Sequence, residues 1–364
     1  LDGVIGAMLR DGYDKRLIHG CHNRTVVIDA RLGERENKQI DVIEAHGLRN
    51  VHLYEGEEWI DVREAVGDLA KKFLCLNEVY PQGFSIPRRF ISENIIHLPT
   101  VKTHVFTTTT GAMKNAFGGL LNEYRHWTHP VIHETLVDLL MIQKRIHRGV
   151  FAVMDGTFAG DGPGPRCMIP YAKSVILASS DQVAIDALAA KLMGFDPLSI
   201  KYIRLAHDLG LGCGDPREIE LVGDVDAAAE NWHFTGPFEK MTFASRMQHK
   251  IYWGPLKKPI EWSLKTVLAP WSYLASVAYH DTIWYPFIGA KRVRAALSSD
   301  WGRLFRNWET LTPDEQGFPS VGDKVLELQR TGASAFLRSF GVLGMAVKEA
   351  PEFAASRRRR AASR

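Results

Sequence analysis

The chain of 364 residues is long enough for one large α/β domain or two lobes with a sizeable core. Its 45% hydrophobic and 24% charged residues are ordinary for a folded soluble protein. The four cysteines are scattered and no CxxC pair occurs, which excludes a zinc knuckle and a cysteine-run iron–sulphur site; they are Cys21, Cys75, Cys167 and Cys213.

The net charge of +3 is small but unevenly distributed. Residues 246–308 carry a net charge of +7 and residues 351–364 carry +4, so the rest of the chain is acidic. A basic C-terminal third on an acidic body predicts an anionic surface, lipid or nucleic acid, as the partner of that third.

The cysteine pattern favours a reducing compartment, with two disulfides as the open alternative. The chain begins with Leu1 rather than Met, which leaves open whether an N-terminal piece precedes it and whether a targeting signal is present. The expected localisation is cytoplasmic, with peripheral membrane association as the alternative.

The first hundred residues show a loose alternation of strands and helices. Residues 25–29 and 50–54 read as strands, and residues 61–73 show one apolar helical face. Residues 76–93, which contain three turn-forming Gly or Pro residues, read as a long irregular connection.

The most informative stretch runs from residue 101 to residue 125. An extended segment ends in four threonines and Gly111, and a helix follows in which Thr109 or Thr110 is the expected N-cap. Lys114 lies in the first helical turn, where the helix dipole favours negative charge. Backbone amides, hydroxyls and a lysine at a helix start predict an anion site, and a capped helix with a solvated lysine is the alternative.

A helix is predicted from His129-Pro130 to about residue 147. His129 and His133 are four residues apart and, with a carboxylate such as Glu134 or Asp138, would share a metal ion. The alternative is that His129 caps the helix and His133 hydrogen-bonds locally.

Residues 150–155 read as a buried strand that ends in Asp155, and a Gly/Pro-rich loop over residues 157–165 follows. Sites in open α/β sheets lie at the carboxyl ends of strands, which makes Asp155 and Asp161 candidate site residues. A tight surface turn with Asp161 as its capping residue is the alternative.

A strand over residues 173–180 and a helix over residues 181–192 follow. Asp186 lies inside that helix among apolar neighbours, so it needs a partner, for which Lys114 and Lys102 are candidates. A helix from Pro197 and a strand over residues 218–223 complete the pattern. The alternation predicts an α/β fold with a largely parallel sheet and helices on both faces.

From about residue 224 aromatic residues are interleaved with Lys and Arg. The longest apolar run has about 14 residues, too short to span a bilayer. Short helices with this mixture of aromatic and basic residues are typical of two arrangements. One is an α-helical cap whose tryptophans are core residues, and the other is a set of segments lying on a membrane surface. The expected domains are an α/β core over 1–225, a helical extension over 226–345 and a disordered arginine-rich tail over 346–364.

Ordered polar blocks make residues 90–225 resemble the domain of unknown function 362 family. The blocks are Lys102-Thr-His104, Thr109 to Gly118, Arg125, Met154-Asp155-Gly156, Gly160 to Pro163, Asp181 to Asp186, and Met193-Gly194. The resemblance supplies no settled activity. Members often carry iron–sulphur modules, which implies redox work, but this chain lacks those cysteines. By position, the resemblance implies a polar set: Lys102, His104, Lys114, Asn115, Arg125, Asp155, Asp161 and Asp186.

Three functions follow as hypotheses. The first is an enzyme, of oxidoreductase or acid–base type, with a polar pocket for an anionic small molecule. Its expected catalytic residues are His104, Lys114, Asp155 and Asp161, and its expected binding residues are Lys102, Thr109, Thr110, Asn115, Arg125 and Asp186.

The second hypothesis is a membrane-surface or protein-binding accessory protein that uses residues 246–308. The third is a metal-binding protein that uses His129 and His133, joined by His104 and Asp155. The cofactor is left unknown, with a metal ion as the candidate. Nucleic acid is the least favoured partner because no recognised binding module accompanies the basic segment.

Overall fold

The structure is a computed structural model that describes residues 1–24, 30–122, 125–239, 243–255, 263 and 268–306. The predicted strand over 25–29, the predicted helices over 311–345 and the predicted disordered tail lie outside the described residues.

Helices and strands are interspersed along the described chain as far as β9, and only helices follow it. The helices are α1 (Asp2–Arg10), α2 (Ala30–Glu36), α3 (Gln39–Ala45), α4 (Val62–Val66), α5 (Leu76–Val79), α6 (Ala112–Gly119), α7 (Ile132–Ile146), α8 (Gln182–Met193), α9 (Lys201–Asp208), α10 (Gly236–Glu239), α11 (Phe243–Trp253), α12 (Leu268–Tyr279), α13 (Ala290–Leu297) and α14 (Asp300–Arg306). The strands are β1 (His19–His22), β2 (Arg49–His52), β3 (Trp59–Asp61), β4 (Ser85–Pro87), β5 (Asn94–His97), β6 (Thr100–His104), β7 (Thr108–Thr110), β8 (Gly149–Asp161) and β9 (Ile169–Ser179). A 3-10 helix (Arg125–Val131) leads into α7, and a π-helix (His280–Gly289) joins α12 to α13.

Local sequence explains α8 well. The Asp181 side chain accepts hydrogen bonds from the backbone amides of Val183 and Ala184, and Gly194 ends the helix with a left-handed φ of +100°. The helix predicted over residues 181–192 is therefore confirmed.

The main sheet is built around the long strand β8. Strands β5 and β6 run parallel to it along one edge, β9 pairs antiparallel along the other, and β7 forms an antiparallel hairpin with β6. Two small sheets lie apart, a parallel β1–β2 pair and an antiparallel β3–β4 pair. The predicted mixed α/β fold is confirmed, but the sheets are small and mixed rather than largely parallel.

The departure from a parallel sheet has a local cause. The stretch predicted as a loop from residue 157 remains part of β8 up to Asp161, and the chain then turns back directly into β9. A short connection forces the next strand to run antiparallel. The strand predicted over 218–223 is wrong, because those residues form no strand. The connection over 76–93 contains α5 and β4 rather than only irregular chain.

Two hydrophobic clusters form the core. The larger one joins α6, α7 and α9 to the N-terminal elements, and the smaller one joins β8 to α8. Helix α8 contributes Val183 and Ala187 to the first cluster and Ile185 and Ala189 to the second, so it is buried on both sides. Trp232 and Phe234 pack in the second cluster, which extends the packing past residue 225.

The described C-terminal helices pack on this core only in part. Tyr252 and Trp284 are buried, and helix α13 contacts β9. Trp301 is 45% exposed and donates a hydrogen bond from Nε1 to Ser174 Oγ at 3.0 Å. Among the described residues, no helix has the length and apolar character needed to cross a membrane.

Candidate functional site

The start of helix α6 is held by a carboxylate from another helix. Asp186 Oδ1 accepts the backbone N–H of Ala112 at 2.6 Å, and Asp186 Oδ2 accepts that of Met113 at 3.2 Å. The prediction that Thr109 or Thr110 caps this helix is wrong, because Gly111 occupies the N-cap position without a side-chain cap. The Asp186 carboxylate therefore complements the dipole of α6, at the place where we expected a bound anion.

Asp186 belongs to a buried polar network rather than to an ion pair with a lysine. Tyr202 OH lies 3.4 Å from Asp186 Oδ2 and 2.9 Å from Thr109 Oγ1. Burial raises the pKa of Asp186 to about 7, against the lowering effect of the two amides and of Tyr202. Thr109 and Asp186 therefore position β7, α6 and α8 relative to one another.

Three cationic side chains lie near helix α6, where the charges of Lys102 and Arg125 act on Lys114. They are Lys102 on β6, Lys114 on α6, and Arg125 in the 3-10 helix before α7. Lys102 points to the same face of the β6–β7 hairpin as its cross-strand partner Thr110. Burial, followed by the charges of Lys102 and Arg125, lowers the pKa of Lys114 to about 7. Burial also lowers the pKa of Arg125 to about 10.

The three cations lack acidic partners. In the part of the chain that the structure describes, no carboxylate acts on Lys102 or Lys114, and Arg125 donates to the carbonyl oxygens of Gly118 and Leu121 instead. The Lys114 ammonium lies 5.2 Å from the centre of the Phe117 ring. Lys114 and Lys102 are only partly buried, so a ligand can approach them. We call Lys102, Lys114 and Arg125 the cation cluster.

Histidines line the same region. His104, two residues after Lys102 on β6, points to the same side of the strand. Its Nδ1 accepts the backbone N–H of Phe106 at 3.2 Å, which leaves the proton of the neutral ring on Nε2. Burial and then the charge of Lys114 lower the pKa of His104. Burial, then His126 and then Lys114 lower the pKa of His129 to about 3.

Several polar atoms here are buried without a hydrogen-bond partner among the described residues. They are Nδ1 of His129, Nδ1 of His133 and Oγ1 of Thr110. An unsatisfied buried polar atom is costly and calls for an explanation, such as a ligand or a water molecule. Thr110 and His129 lie beside the cation cluster, so their unpaired atoms indicate where a ligand would find further polar contacts.

The predicted acids lie elsewhere. Asp155 is exposed on β8, where its carboxylate accepts the amide of Thr157 at 2.8 Å. Asp161 is buried, and its carboxylate accepts the amides of Thr235 and Gly236 at 3.3 and 3.0 Å. The fold thus brings the predicted cations close to His104. The carboxylates of Asp155, Asp161 and Asp186 instead accept hydrogen bonds from backbone amides of other residues. Asn115 lies exposed on α6.

The histidine pair predicted to bind a metal ion adopts other contacts. The His129 ring stacks on Phe117 at 5.8 Å, and the His133 ring stacks on Tyr202 at 6.1 Å between centroids. The described residues contain no group of three or more His, Cys, Asp or Glu side chains arranged to hold a metal ion. The alternative capping role of His129 is wrong, since α7 begins at Ile132 without a side-chain cap. The four cysteines are free thiols in the structure.

Sequence reasoning missed the ring contacts and Tyr202. Phe106 contacts the rings of His104, His129, Tyr252 and Trp253 at centroid distances of 5.1 to 5.8 Å. Tyr252 and Trp253 are distant from Phe106 in the sequence. The only sequence feature that pointed to them was their position in an aromatic-rich segment. Tyr202 gave no sequence signal, because a tyrosine in an amphipathic helix is usually a core residue.

This arrangement defines a mixed α/β protein with a half-buried cluster of cations and histidines beside helix α6. The model of the family described as domain of unknown function (DUF362) matches residues 12–191. This match confirms the resemblance, although it spans residues 12–191 rather than residues 90–225.

One curated relative is the thylakoid-associated protein sll1697 of Synechocystis, which is 26% identical over 145 residues. That alignment covers 38% of this chain and 44% of the relative, so the chain spans less than half the length of the protein it matches. No solved structure gives a significant match.

Proposed function

We propose that the protein is an enzyme that binds an anionic small molecule at the cation cluster. The observation that carries the proposal is that partly buried Lys102 and Lys114 and buried Arg125 lie near one another without a carboxylate partner among the described residues. Burying charges of one sign together is unfavourable unless an opposite charge compensates them. A carboxylate or phosphate group would supply that charge and accept their hydrogen bonds.

Lys114 has the properties of an acid–base group. Its pKa of about 7 lets it exist in both protonation states near neutral pH, the range in which a general acid or base is most effective. The neutral His104 ring, whose Nε2 carries the proton, would act as a hydrogen-bond donor to the ligand. In this proposal Lys114 moves a proton, and Lys102 and Arg125 hold the anion.

Calorimetric titration with inorganic phosphate at pH 7 tests the binding step. Because the bound anion favours the charged lysine, we expect the wild type to take up more protons on binding than Lys114→Met, in which only the phosphate titrates; the dependence of the heat on the ionisation enthalpy of the buffer measures this difference. Lys114→Met keeps the length of the side chain but should bind about tenfold more weakly.

Lys173→Met is the matched control. The Lys173 ammonium lies 5.1 Å from the centre of the Trp232 ring, nearly the same ring contact as that of Lys114, but on strand β9. This variant should bind phosphate like the wild type. Equal affinity of wild type and Lys114→Met for phosphate, or no binding of any anion by the wild type, would reject the proposal.

A second function, membrane-surface association, is favoured by a separate observation. Large apolar side chains are exposed on the C-terminal helices, and Phe287 is 82% exposed; the others are Trp271, Ile283, Ile288, Trp301, Leu304 and Phe305. Exposed Lys291 and Arg292 follow directly in sequence. Apolar side chains next to cations are typical of segments that bind anionic lipid surfaces. The Synechocystis relative is named as a thylakoid-associated protein, which is consistent with this function.

Flotation with vesicles of phosphatidylcholine and phosphatidylserine tests this function. The wild type should float at low salt and less at high salt, and Phe287→Ser should float less. Leu17→Ser is the control because Leu17 is 78% exposed at the other end of the chain. Failure of the wild type to float at low salt, or equal flotation of the two variants, would exclude the surface formed by these residues as a membrane contact.

A further inference from the structure

Lys114 lies in surroundings that favour an uncharged amine. The charges of Lys102 and Arg125 act on it, whereas no carboxylate among the described residues does so. Lys114 also lies in the first turn of α6, where the helix dipole opposes a positive charge. Its Nζ atom is 5.2 Å from the centre of the Phe117 ring, which places apolar surface beside the amine. A lysine that lies next to other cations and away from water is a typical nucleophilic amine.

Groups that donate hydrogen bonds or protons belong to the same neighbourhood. The charges of Lys114 and Lys102 both act on His104, and the charges of Lys114 and Arg125 both act on His129. Burial, as the largest cause, lowers the pKa of each histidine, so both rings are neutral near pH 7. The N–H group of a neutral ring can donate to a carbonyl oxygen, and the Lys102 ammonium can donate to a carboxylate.

We infer that Lys114 is a nucleophile that forms a Schiff base with a carbonyl substrate bearing an adjacent carboxylate, a 2-oxo acid. This inference rests on the proposed function and specifies its substrate class. Lys102 and Arg125 hold the carboxylate, which brings the neighbouring carbonyl carbon to the amine whose charge they disfavour. Because the pKa of Lys114 is about 7, about half of this side chain is neutral and nucleophilic at neutral pH.

The step is a condensation that releases water and requires no oxidant or reductant. The Nζ lone pair forms a bond to the carbonyl carbon, the π electrons move to oxygen, and a proton passes from nitrogen to that oxygen. A second proton, from the Lys102 ammonium, lets the hydroxyl group leave as water. The remaining nitrogen lone pair then closes the C=N bond of a protonated imine. Lys102 regains its proton from solvent.

Reductive trapping with pyruvate as the probe tests the covalent step. The full chain is incubated at pH 7 with pyruvate and cyanoborohydride, which reduces an imine to a stable secondary amine, and labelled peptides are mapped by mass spectrometry. Lys114 should be labelled about tenfold faster than Lys173, which has a similar ring contact on β9. Lactate has a carboxylate but no carbonyl group to condense, so it should give no label and should slow labelling by pyruvate.

Lys114→Arg separates the covalent step from binding. It keeps a positive charge and should bind lactate within about threefold of the wild type by calorimetry, but a guanidinium does not form an imine, so labelling at this position should be lost.

The outcomes distinguish the inference from the proposed function. Equal labelling of Lys114 and Lys173, labelling mainly at Lys102, or no labelling would overturn the inference. If the wild type then still binds lactate or phosphate by calorimetry, the proposed anion binding stands. If it binds neither lactate nor phosphate and pyruvate gives no label, the inference and the proposed function both fall.

Discussion

Replacing Lys114 by methionine should remove a specific pH dependence of stability. The pKa of Lys114 is about 7 in the folded protein against 10.5 for an unperturbed lysine. Between these values the unfolded chain binds a proton that the folded chain does not, so the free energy of unfolding rises with pH. Below pH 7 both states are charged and the full cost of burying the ammonium, about 5 kcal/mol, opposes folding.

Most of that cost is still present at pH 7, and less than half remains at pH 9. The Lys114 contribution to the free energy of unfolding therefore increases by about 2 kcal/mol over these two pH units. Lys114→Met lacks the titrating group. It should be more stable than the wild type at pH 7, and its advantage should shrink by about 2 kcal/mol at pH 9.

Urea denaturation at pH 7, 8 and 9 after extensive dialysis measures this difference. Lys173→Met should differ from the wild type by the same amount at all three pH values. Addition of phosphate at pH 7 should stabilise the wild type and reduce its pH dependence, because the anion restores the charged form of Lys114. A difference between wild type and Lys114→Met that stays constant from pH 7 to pH 9 would refute the burial of this ammonium among cations.

Three further predictions concern the carboxylates that cap helices. Gly111→Ala would place a Cβ atom 2.0 Å from Asp186 Oδ1 and should cost about 2–4 kcal/mol in urea denaturation, whereas Gly118→Ala, with open space around it, should gain about 0.5–1 kcal/mol. Asp186→Asn should cost less than Asp186→Ala at pH 7, because about half of the carboxyl groups are protonated there; an equal cost would contradict the raised pKa. Asp138→Ala leaves the amides of Leu74, Cys75 and Leu76 without their acceptor and should lower the stability by about 2–4 kcal/mol; an unchanged denaturation midpoint would contradict this.

Local patterns in the sequence were sufficient for several elements. Helix α8 follows from Asp181 at its start, Gly194 at its end and apolar residues between, all within one short segment. The spacing of Lys102 and His104 put both on one side of a strand, and the position of Lys114 put it at a helix start. The sequence by itself therefore determined where the cations lie on their elements.

Only the tertiary structure decided what faces those cations. The carboxylate at the start of α6 comes from Asp186, 74 residues away along the chain, and the ring beside Phe106 comes from Trp253. The pairing of β8 with β9, which makes the sheet mixed, depends on how long β8 continues before it turns. Such long-range contacts depend on the packing of whole elements, and no local periodicity encodes which distant side chain meets a given helix end or strand edge.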